Sequence, residues 1–385
     1  MSKTLEIKGR IDSNNIEEIE NNLLKEVQDY DGEIILDAKD LEYISSVGLR
    51  MILKIKKLNN NTKVINCNRE VYEIFEMTGF TDMMDISKAF RTISIDDCEI
   101  IGDGFYGTVY RIDPETIVKV YKNKNSLEMV QREKELSRKA FVLGIPTAIP
   151  YDIVKVNDTY GAVFELLNCK SLDTLIKEGI DIKSLSKECV EILKKMHSTE
   201  VDTNDLPNRK DKILEEAEGC RDLLDEKTYK SLIKFINDIE DKTTMIHGDF
   251  QIKNLMKQDD EILTIDMDTL SYGNPIFEFS ALYASYVAFA CVNKNNPYEF
   301  LGVPYETTKK IWEYIYNDYF DDKTEKEKEE YLEKIKILSF LQVLYIRSKF
   351  RNENNPYQDE EIEYAKNYLI NNLPKEEKIN KFEIL

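Results

Sequence analysis

Apolar residues in the N-terminal part of the chain, residues 1–92, recur alternately at strand-like and helix-like spacing. Short aliphatic and β-branched runs, which are typical of strands, occur at TLEIKGRI, GEIILDAK and KVINC. Between the first two runs, an apolar stripe at helical spacing is formed by Ile16, Ile19, Leu23 and Val27. Two further helices are predicted at SSVGLRMILKIKKL and REVYEIFEMTGF. This order predicts a small α/β sheet layered with helices.

The stretch LDAKDLEYISSVGLRMIL resembles the STAS family, the domain of anti-sigma-factor antagonists. The resemblance implies a regulatory module that binds a protein partner and is phosphorylated on a serine at the start of this helix. By position relative to Gly48-Leu49, that serine is Ser46. A phosphate there would meet free N–H groups and the positive end of the helix dipole. The alternative is that Ser45 or Ser46 merely caps the helix, which needs no partner.

A second module begins near residue 95, where sequences typical of strands lie on both sides of a glycine-rich turn. In IGDGFYGTVYRI the spacing GxGxxGxV is made by Gly102, Gly104, Gly107 and Val109. Because strands flank the glycines on both sides, the pattern predicts a hairpin rather than a strand-to-helix turn. Glycines allow a backbone to approach phosphates closely. The hairpin therefore either covers the phosphates of a nucleotide or is a glycine-rich turn without a ligand.

Lys119 lies on the next strand, IVKVY, and the helix that follows is predicted from Ser126 to Leu143. Helical spacing places Met129 and Leu136 on one apolar face, and Glu133 falls within that face. A carboxylate that faces the core needs a cation, and Lys119 is a suitable one. Such a pair could hold the α and β phosphates of a nucleotide.

The stretch MIHGDFQIKNLM interrupts an apolar run with several polar residues, including one of only two histidines in the chain. Asp249 precedes Asn254 by five residues, and Asp266 follows in LTIDMD. This order resembles the catalytic loop and metal site of the protein-kinase-like superfamily. Asn254 and Asp266 would supply the oxygen ligands that Mg²⁺ prefers, and Asp249 would accept the proton of an attacking hydroxyl. His247 would brace the loop rather than act as a base.

Finer features resemble the aminoglycoside phosphotransferase and choline-kinase-like group, over residues 97–372. Gly248 and Gln251 stand where protein kinases carry an arginine and a lysine, and only TLSYGN separates the metal site from NPIFEFSALYA. Within NPIFEFSALYA, Glu278 replaces the usual aspartate of the family. The resemblance implies that the backbone of Leu167, in the hinge between two lobes, contacts the adenine of ATP.

The expected fold class is therefore an α/β STAS-like domain followed by a bilobal protein-kinase-like α+β domain with a helical C-lobe. Residues 95–168 would form the nucleotide-binding N-lobe, and residues 169–385 the C-lobe with catalytic and acceptor-binding residues. In the C-lobe, the helical spacing of Trp312, Tyr316 and Tyr319 favours core packing over stacking on a substrate. The cation, base and metal ligands are expected to converge on one cleft between the lobes.

The composition of the chain argues against some classes of binding partner and indicates its cellular location. A formal net charge of −20 over 385 residues argues against non-specific binding to nucleic acid or to anionic membranes. The six cysteines show no metal-type spacing, and scattered thiols without a signal peptide indicate a reducing, cytoplasmic location. The most apolar run, FSALYASYVAFACV, is too short to span a bilayer.

Three functional hypotheses remain. The leading one is an ATP- and Mg-dependent phosphotransferase acting on a hydroxyl of a small molecule, with the N-terminal module regulatory and available to a protein partner. The second is a protein-level phosphoswitch, in which the kinase-like module phosphorylates Ser46 in its own or another chain. The third is an anti-sigma-antagonist-type interaction protein whose kinase-like module is inactive. The motifs do not identify the acceptor.

Overall fold

The computed structural model describes residues 2–104, 107–123, 126–259, 261–352 and 354–374. These residues form two compact units. The first contains the chain up to Ser94 together with Ile153–Asp158, and the second contains Ile95–Asp152 and the chain from Thr159 onwards. Each unit buries a hydrophobic cluster of its own.

The first unit alternates strands and helices, as its sequence pattern predicts. In chain order its elements are β1 (Ser2–Glu6), β2 (Gly9–Ile11), α1 (Ile16–Val27), β3 (Glu33–Asp37), β4 (Leu41–Ile44), α2 (Ser46–Leu58), β5 (Thr62–Cys67), α3 (Arg69–Met77), β6 (Ile86–Lys88) and β7 (Arg91–Thr92). Strands β1, β3, β5 and β6 form a parallel sheet in that order, and β2 pairs with β4. The predicted strand TLEIKGRI is thus two strands.

The core of the first unit lies between this sheet and its helices. Buried side chains of the strands, such as Ile34 and Val64, pack with Ile52 of α2 and with Val71 and Phe75 of α3. The predicted α/β STAS-like architecture of this part of the chain is confirmed.

The N-terminus of α2 distinguishes its two adjacent serines. Ser45 is the N-cap residue, but its side chain makes no capping hydrogen bond. Its hydroxyl is buried without a hydrogen-bond partner among the described residues. Ser46 is the first helical residue, and its side chain is exposed. Neither hydroxyl therefore caps the helix, and only Ser46 is open to solvent.

The second unit begins with the predicted β-rich lobe. Its elements are β8 (Glu99–Asp103), β9 (Gly107–Arg111), β10 (Thr116–Tyr121), α4 (Leu127–Val142), β11 (Pro150–Val156) and β12 (Thr159–Glu165). Strand β10 lies between β9 and β12 and is antiparallel to both. This register places Lys119 opposite Val109 on one side and Ala162 on the other. Val154 and Lys155 of β11 pair with Arg91 and Thr92 of β7, and this part of β11 belongs to the first unit.

The remainder of the second unit is mainly helical. Its elements are β13 (Lys170–Ser171), α5 (Leu172–Lys177), α6 (Ile182–Ser198), α7 (Arg209–Gly219), α8 (Glu226–Asn237), β14 (Met245–Ile246), β15 (Leu255–Gln258), β16 (Glu261–Thr264), β17 (Ser271–Tyr272), α9 (Ile276–Tyr286), α10 (Asn296–Leu301), α11 (Tyr305–Tyr319), α12 (Glu325–Lys349) and α13 (Gln358–Asn372). The short strands carry the catalytic motif. β15 and β16 form an antiparallel hairpin, and β14 pairs with β17.

Aromatic side chains fill the core of this helical part. Trp312 and Tyr316 are both buried, stack on each other at a centroid distance of 5.1 Å and contact Phe279 of α9. Their predicted role in core packing is confirmed. None of the helices within the described residues has the length and apolar character needed to cross a membrane.

Candidate active site

Lys119 joins two segments that are far apart in the chain. Its Nζ lies 2.9 Å from Oε1 of Glu133 on α4 and 2.6 Å from Oδ1 of Asp266, which follows β16. The lysine side chain is 14% exposed. The structure thus brings the predicted cation and a predicted metal ligand into direct contact.

Helix α4 presents Glu133 to the core, although the predicted apolar face needs one correction. Met129 is exposed, so its assignment to that face was wrong. The buried face runs instead through Val130, Glu133, Leu136 and Ala140, which recur at spacings of three and four residues. Glu133 therefore sits three residues from apolar neighbours on either side.

The ion pair removes a carboxylate from water, because the side chain of Glu133 is only 3% exposed. Burial raises the pKa of Glu133 to about 7, and the charge of Lys119 opposes that rise. For Lys119, burial acts to lower the pKa, but Glu133 and Asp266 outweigh it and raise the pKa above its usual value. Lys119 therefore stays cationic at physiological pH and can contact an anionic phosphate.

The catalytic loop, residues 247–254, is closed by a side-chain contact between its two predicted functional residues. The side-chain nitrogen Nδ2 of Asn254 donates hydrogen bonds to Oδ2 of Asp249 at 2.7 Å and to the backbone carbonyl of Asp249 at 3.0 Å. The N–H of Ile265 donates to the carbonyl of Asn254 at 2.9 Å. Because Asp266 follows Ile265 directly, this bond holds the two predicted metal ligands in neighbouring segments.

Negative charge accumulates around Asp249. Burial, followed by the nearby carboxylates of Asp266 and Asp268, raises the pKa of Asp249 to about 7. The pKa of Asp268 is itself raised, by burial and then by Asp266. Asp268 was not among the predicted site residues. Its position two residues after Asp266 in LTIDMD is the sequence signal that could have identified it.

His247 braces the catalytic loop by hydrogen bonding, as predicted, and its ring is neutral. Its Nε2 lies 3.1 Å from the carbonyl of Ile265, which can only accept a hydrogen bond, so Nε2 carries the proton. Its Nδ1 accepts a hydrogen bond of 3.3 Å from the N–H of Asp249. Burial lowers the pKa of His247, which fits this neutral form. The ring therefore ties the catalytic loop to the segment that carries Asp266.

Glu278 performs the bracing expected of the aspartate that it replaces. Its carboxylate accepts hydrogen bonds from the N–H of His247 at 2.6 Å and from the N–H of Gly248 at 3.0 Å. It lies in the first turn of α9 and is fully buried. Thr269 adds a third tie, because its hydroxyl donates to the carbonyl of His247 at 2.8 Å. The substitution therefore leaves the loop braced.

Strands β8 and β9 pair as the glycine-rich pattern predicts, with Gly102 on β8, Gly107 and Val109 on β9, and Gly104 just after β8. Gly102 pairs with Val109, and the N–H of Gly104 donates to the carbonyl of Gly107 at 2.9 Å. A Cβ atom at Gly107 would lie 2.7 Å from the carbonyl oxygen of Val120, so only glycine allows this approach of β9 to β10. The contact of these glycines with nucleotide phosphates stays a prediction.

The predicted hinge residue Leu167 lies two residues after the end of β12 and is half-buried. Its neighbour Leu166 is fixed by a hydrogen bond of 2.7 Å from its N–H to the carbonyl of Glu115. The proposed contact between the Leu167 backbone and adenine stays a prediction.

The donor set fits a hard divalent cation that arrives with a nucleotide. Among the residues that the structure describes, no group of three or more His, Cys, Asp or Glu side chains could hold a metal ion alone. Mg²⁺ commonly uses one or two protein ligands together with phosphate oxygens and water. Asn254 and Asp266 can supply such a pair, and the mutually destabilising charges of Asp249, Asp266 and Asp268 would be relieved by a cation.

Comparison with known families agrees with this geometry. The model of the phosphotransferase enzyme family, APH, matches residues 97–292, which is half of the chain. The STAS domain model matches residues 3–94. The chain therefore belongs to the phosphotransferase enzyme family and carries an N-terminal STAS domain. It is a kinase-like phosphotransfer enzyme, and the two predicted family resemblances are confirmed.

Individual relatives match different shares of the chain. The N-terminal part is 28% identical over 87 residues to BtrV of Bordetella bronchiseptica, a proposed anti-sigma factor antagonist, covering 22% of this chain and 75% of BtrV. The ADP-bound aminoglycoside phosphotransferase APH(2'')-Ib is similar at a TM-score of 0.50 and 17% identity, covering 77% of this chain and 97% of that one. The GDP complex of aminoglycoside 2'-phosphotransferase-IIIa matches at 0.49 and 15%, covering 79% and 99%. The likeness to APH(2'')-Ib supports the bilobal kinase-like fold.

Proposed function

We propose that this chain is an ATP- and Mg²⁺-dependent phosphotransferase that transfers the γ-phosphate to a hydroxyl of a small molecule. The observation that carries the proposal is the contact of Lys119 with both Glu133 and Asp266. A nucleotide-binding cation, its buried counter-charge and a metal-binding carboxylate are thereby held within one site. The catalytic loop adds Asp249, which Asn254 holds in place.

Each side chain has a distinct role in the proposed reaction. Lys119 contacts the α and β phosphates, and Glu133 holds Lys119 in place. Asn254 and Asp266 hold Mg²⁺, which neutralises charge on the phosphates when bound. Asp249 orients the acceptor hydroxyl and accepts its proton. A pKa of about 7 suits a base that works near neutral pH.

A small acceptor is favoured because the segment after the metal site is short and fixed. Ser271 and Tyr272 pair with Met245 and Ile246, and the N–H of Gly273 donates to the carbonyl of Thr244 at 2.9 Å. This arrangement leaves the TLSYGN segment no length from which to build a platform for a peptide substrate. The acceptor is therefore proposed to bind as a compact molecule.

The direct test is an acceptor screen that measures ADP release by the purified full chain with MgATP. The panel should contain amino sugars, sugars, amino alcohols and nucleosides, and aminoglycosides belong in it because a similar structure is named for them. We expect at least one class to stimulate ADP release and to gain a phosphate by mass spectrometry. Nucleotide binding without phosphorylation of any class would contradict the proposal of a small-molecule acceptor.

A second candidate substrate is Ser46, which is exposed at the first position of α2, while the hydroxyl of Ser45 is buried and makes no capping bond. A phosphate on Ser46 would be stabilised by the N–H groups at the start of this helix. If this candidate is correct, incubation with MgATP should add one phosphate to a peptide containing Ser46, and a Ser46→Ala chain should gain none. An unmodified peptide after many ATP turnovers would reject it.

A further inference from the structure

Arg209 is a buried cation beside the catalytic loop that the proposed chemistry does not use. It is the first residue of α7 and is only 7% exposed. The helix start is fixed by Asn208, whose side chain accepts a hydrogen bond from the N–H of Lys210 at 2.9 Å. The backbone that carries the arginine is therefore held in place.

The guanidinium of Arg209 occupies the space next to Gly248. Its Nη2 donates a long hydrogen bond, 3.5 Å, to the carbonyl of Gly248. A Cβ atom at Gly248 would lie 3.1 Å from Nη1 of Arg209 and 2.8 Å from the carbonyl oxygen of Thr269. Gly248 also has a φ of +85°, which disfavours other residues. The absence of a side chain at position 248 thus makes room for the arginine.

Glu278 approaches the same residue from the other direction, through its hydrogen bond from the N–H of Gly248. Burial acts to raise the pKa of Glu278, but His197 and the charge of Arg209 oppose this and keep the pKa below its usual value. The carboxylate is therefore ionised, and Arg209 contributes part of the compensating charge. The N–H and the carbonyl of Gly248 are held by opposite charges.

Burying the guanidinium of Arg209 in this way is expected to lower the free energy of unfolding. The Nε of Arg209 is buried and has no hydrogen-bond partner among the described residues. A buried charge with incomplete hydrogen bonding is commonly less stable than a well-packed apolar side chain. A role in placing the loop gives a physical reason for a charge at this position.

We propose that Arg209 is a positioning residue, which fixes the peptide group of Gly248 and thereby aims the carboxylate of Asp249 at the acceptor hydroxyl. Asp249 follows Gly248 directly, so a rotation of the Gly248 peptide moves its Cα and side chain. A displacement of about 1 Å at a reacting group can cost about 100-fold in rate. This inference deepens the proposed function, because it assumes that Asp249 acts in phosphoryl transfer.

Lys210 offers a matched control on the same helix. It is also 7% exposed, and its Nζ contacts the carbonyl of Ile239 and the carboxylate of Asp241, which lie outside the catalytic loop. Arg209→Met and Lys210→Met therefore each remove one buried cation from the first turn of α7. Only the first removes a contact with Gly248.

The first readout is the kcat for hydrolysis of MgATP, with water as acceptor. The affinity for MgADP is measured by calorimetry, and the thermal stability of each variant is measured separately. We expect Arg209→Met to lower kcat about 10- to 100-fold with MgADP affinity within about twofold of wild type. Arg209→Lys should recover part of kcat, and Lys210→Met should leave it unchanged. Equal losses of kcat in the two methionine variants would show a merely structural role and overturn the proposal.

The second readout does not depend on activity. Hydrogen exchange of a peptide covering residues 245–250 reports whether the N–H groups of the loop remain held. We expect faster exchange in Arg209→Met than in wild type or Lys210→Met. If neither water nor any acceptor of the screen is phosphorylated, the proposed function fails, and this measurement still tests whether Arg209 holds the Gly248 peptide. Unchanged exchange in Arg209→Met would overturn the positioning role.

Discussion

Replacement of Asp249 by Asn should lower phosphoryl transfer by about 10²- to 10⁴-fold while nucleotide binding is retained. The amide keeps the size of the side chain and can still contact Asn254, but it cannot accept a proton from the acceptor. Within the described part of the chain, Lys119 forms ion pairs with Glu133 and Asp266 and not with Asp249. The loss should therefore appear in kcat rather than in the dissociation constant for MgADP.

A suitable control is Asp259→Asn, because Asp259 is exposed in the turn between β15 and β16 and has a φ of +50° that Asn also tolerates. Steady-state ADP release and calorimetry with MgADP separate the two effects. A variant with Asn at 249 that keeps more than about a tenth of the wild-type kcat would exclude Asp249 as the general base.

Local motifs predicted most of the site because the chemistry is concentrated in short segments. Asp249 and Asn254 share one loop, which connects β14 to β15, so their contact follows from local chain geometry. Lys119 and Asp266 are far apart in sequence, and their contact could be predicted only because both matched one family pattern. The α/β character of the first unit followed from its alternating periodicity.

Other features depend on tertiary contacts that the sequence does not display. Arg209 begins α7, which precedes the catalytic loop, and nothing in its local pattern indicates that it reaches Gly248. The prediction for Met129 was wrong because apolar character alone does not fix which side of a short amphipathic helix is buried. The neighbouring Val130 fits the apolar face of α4 equally well by spacing, and Val130 is the residue that is buried. Packing against the β-rich lobe makes that choice.

Replacement of Asp266 by Asn should abolish the dependence of nucleotide binding on Mg²⁺. Asp266 has a φ of +63°, a conformation that Asn adopts readily and Ala does not, so this variant preserves the backbone. It removes the negative charge that faces both the proposed metal and Lys119. We expect the affinity for MgATP to fall at least about 10- to 100-fold, the range seen even for outer-sphere partners of bound metals.

The measurement is a pair of calorimetric titrations with ATP, with Mg²⁺ and with EDTA. Wild type should bind more tightly with the cation, whereas Asp266→Asn should bind with similar affinity in both. Asp268→Asn provides the comparison, because Asp268 carries the same charge only two residues away. If Asp268→Asn removes the Mg²⁺ dependence while Asp266→Asn retains it, the metal ligand is Asp268. Lys119 would then be the main partner of Asp266 also in the nucleotide-bound enzyme, because the 2.6 Å contact would face no competing cation.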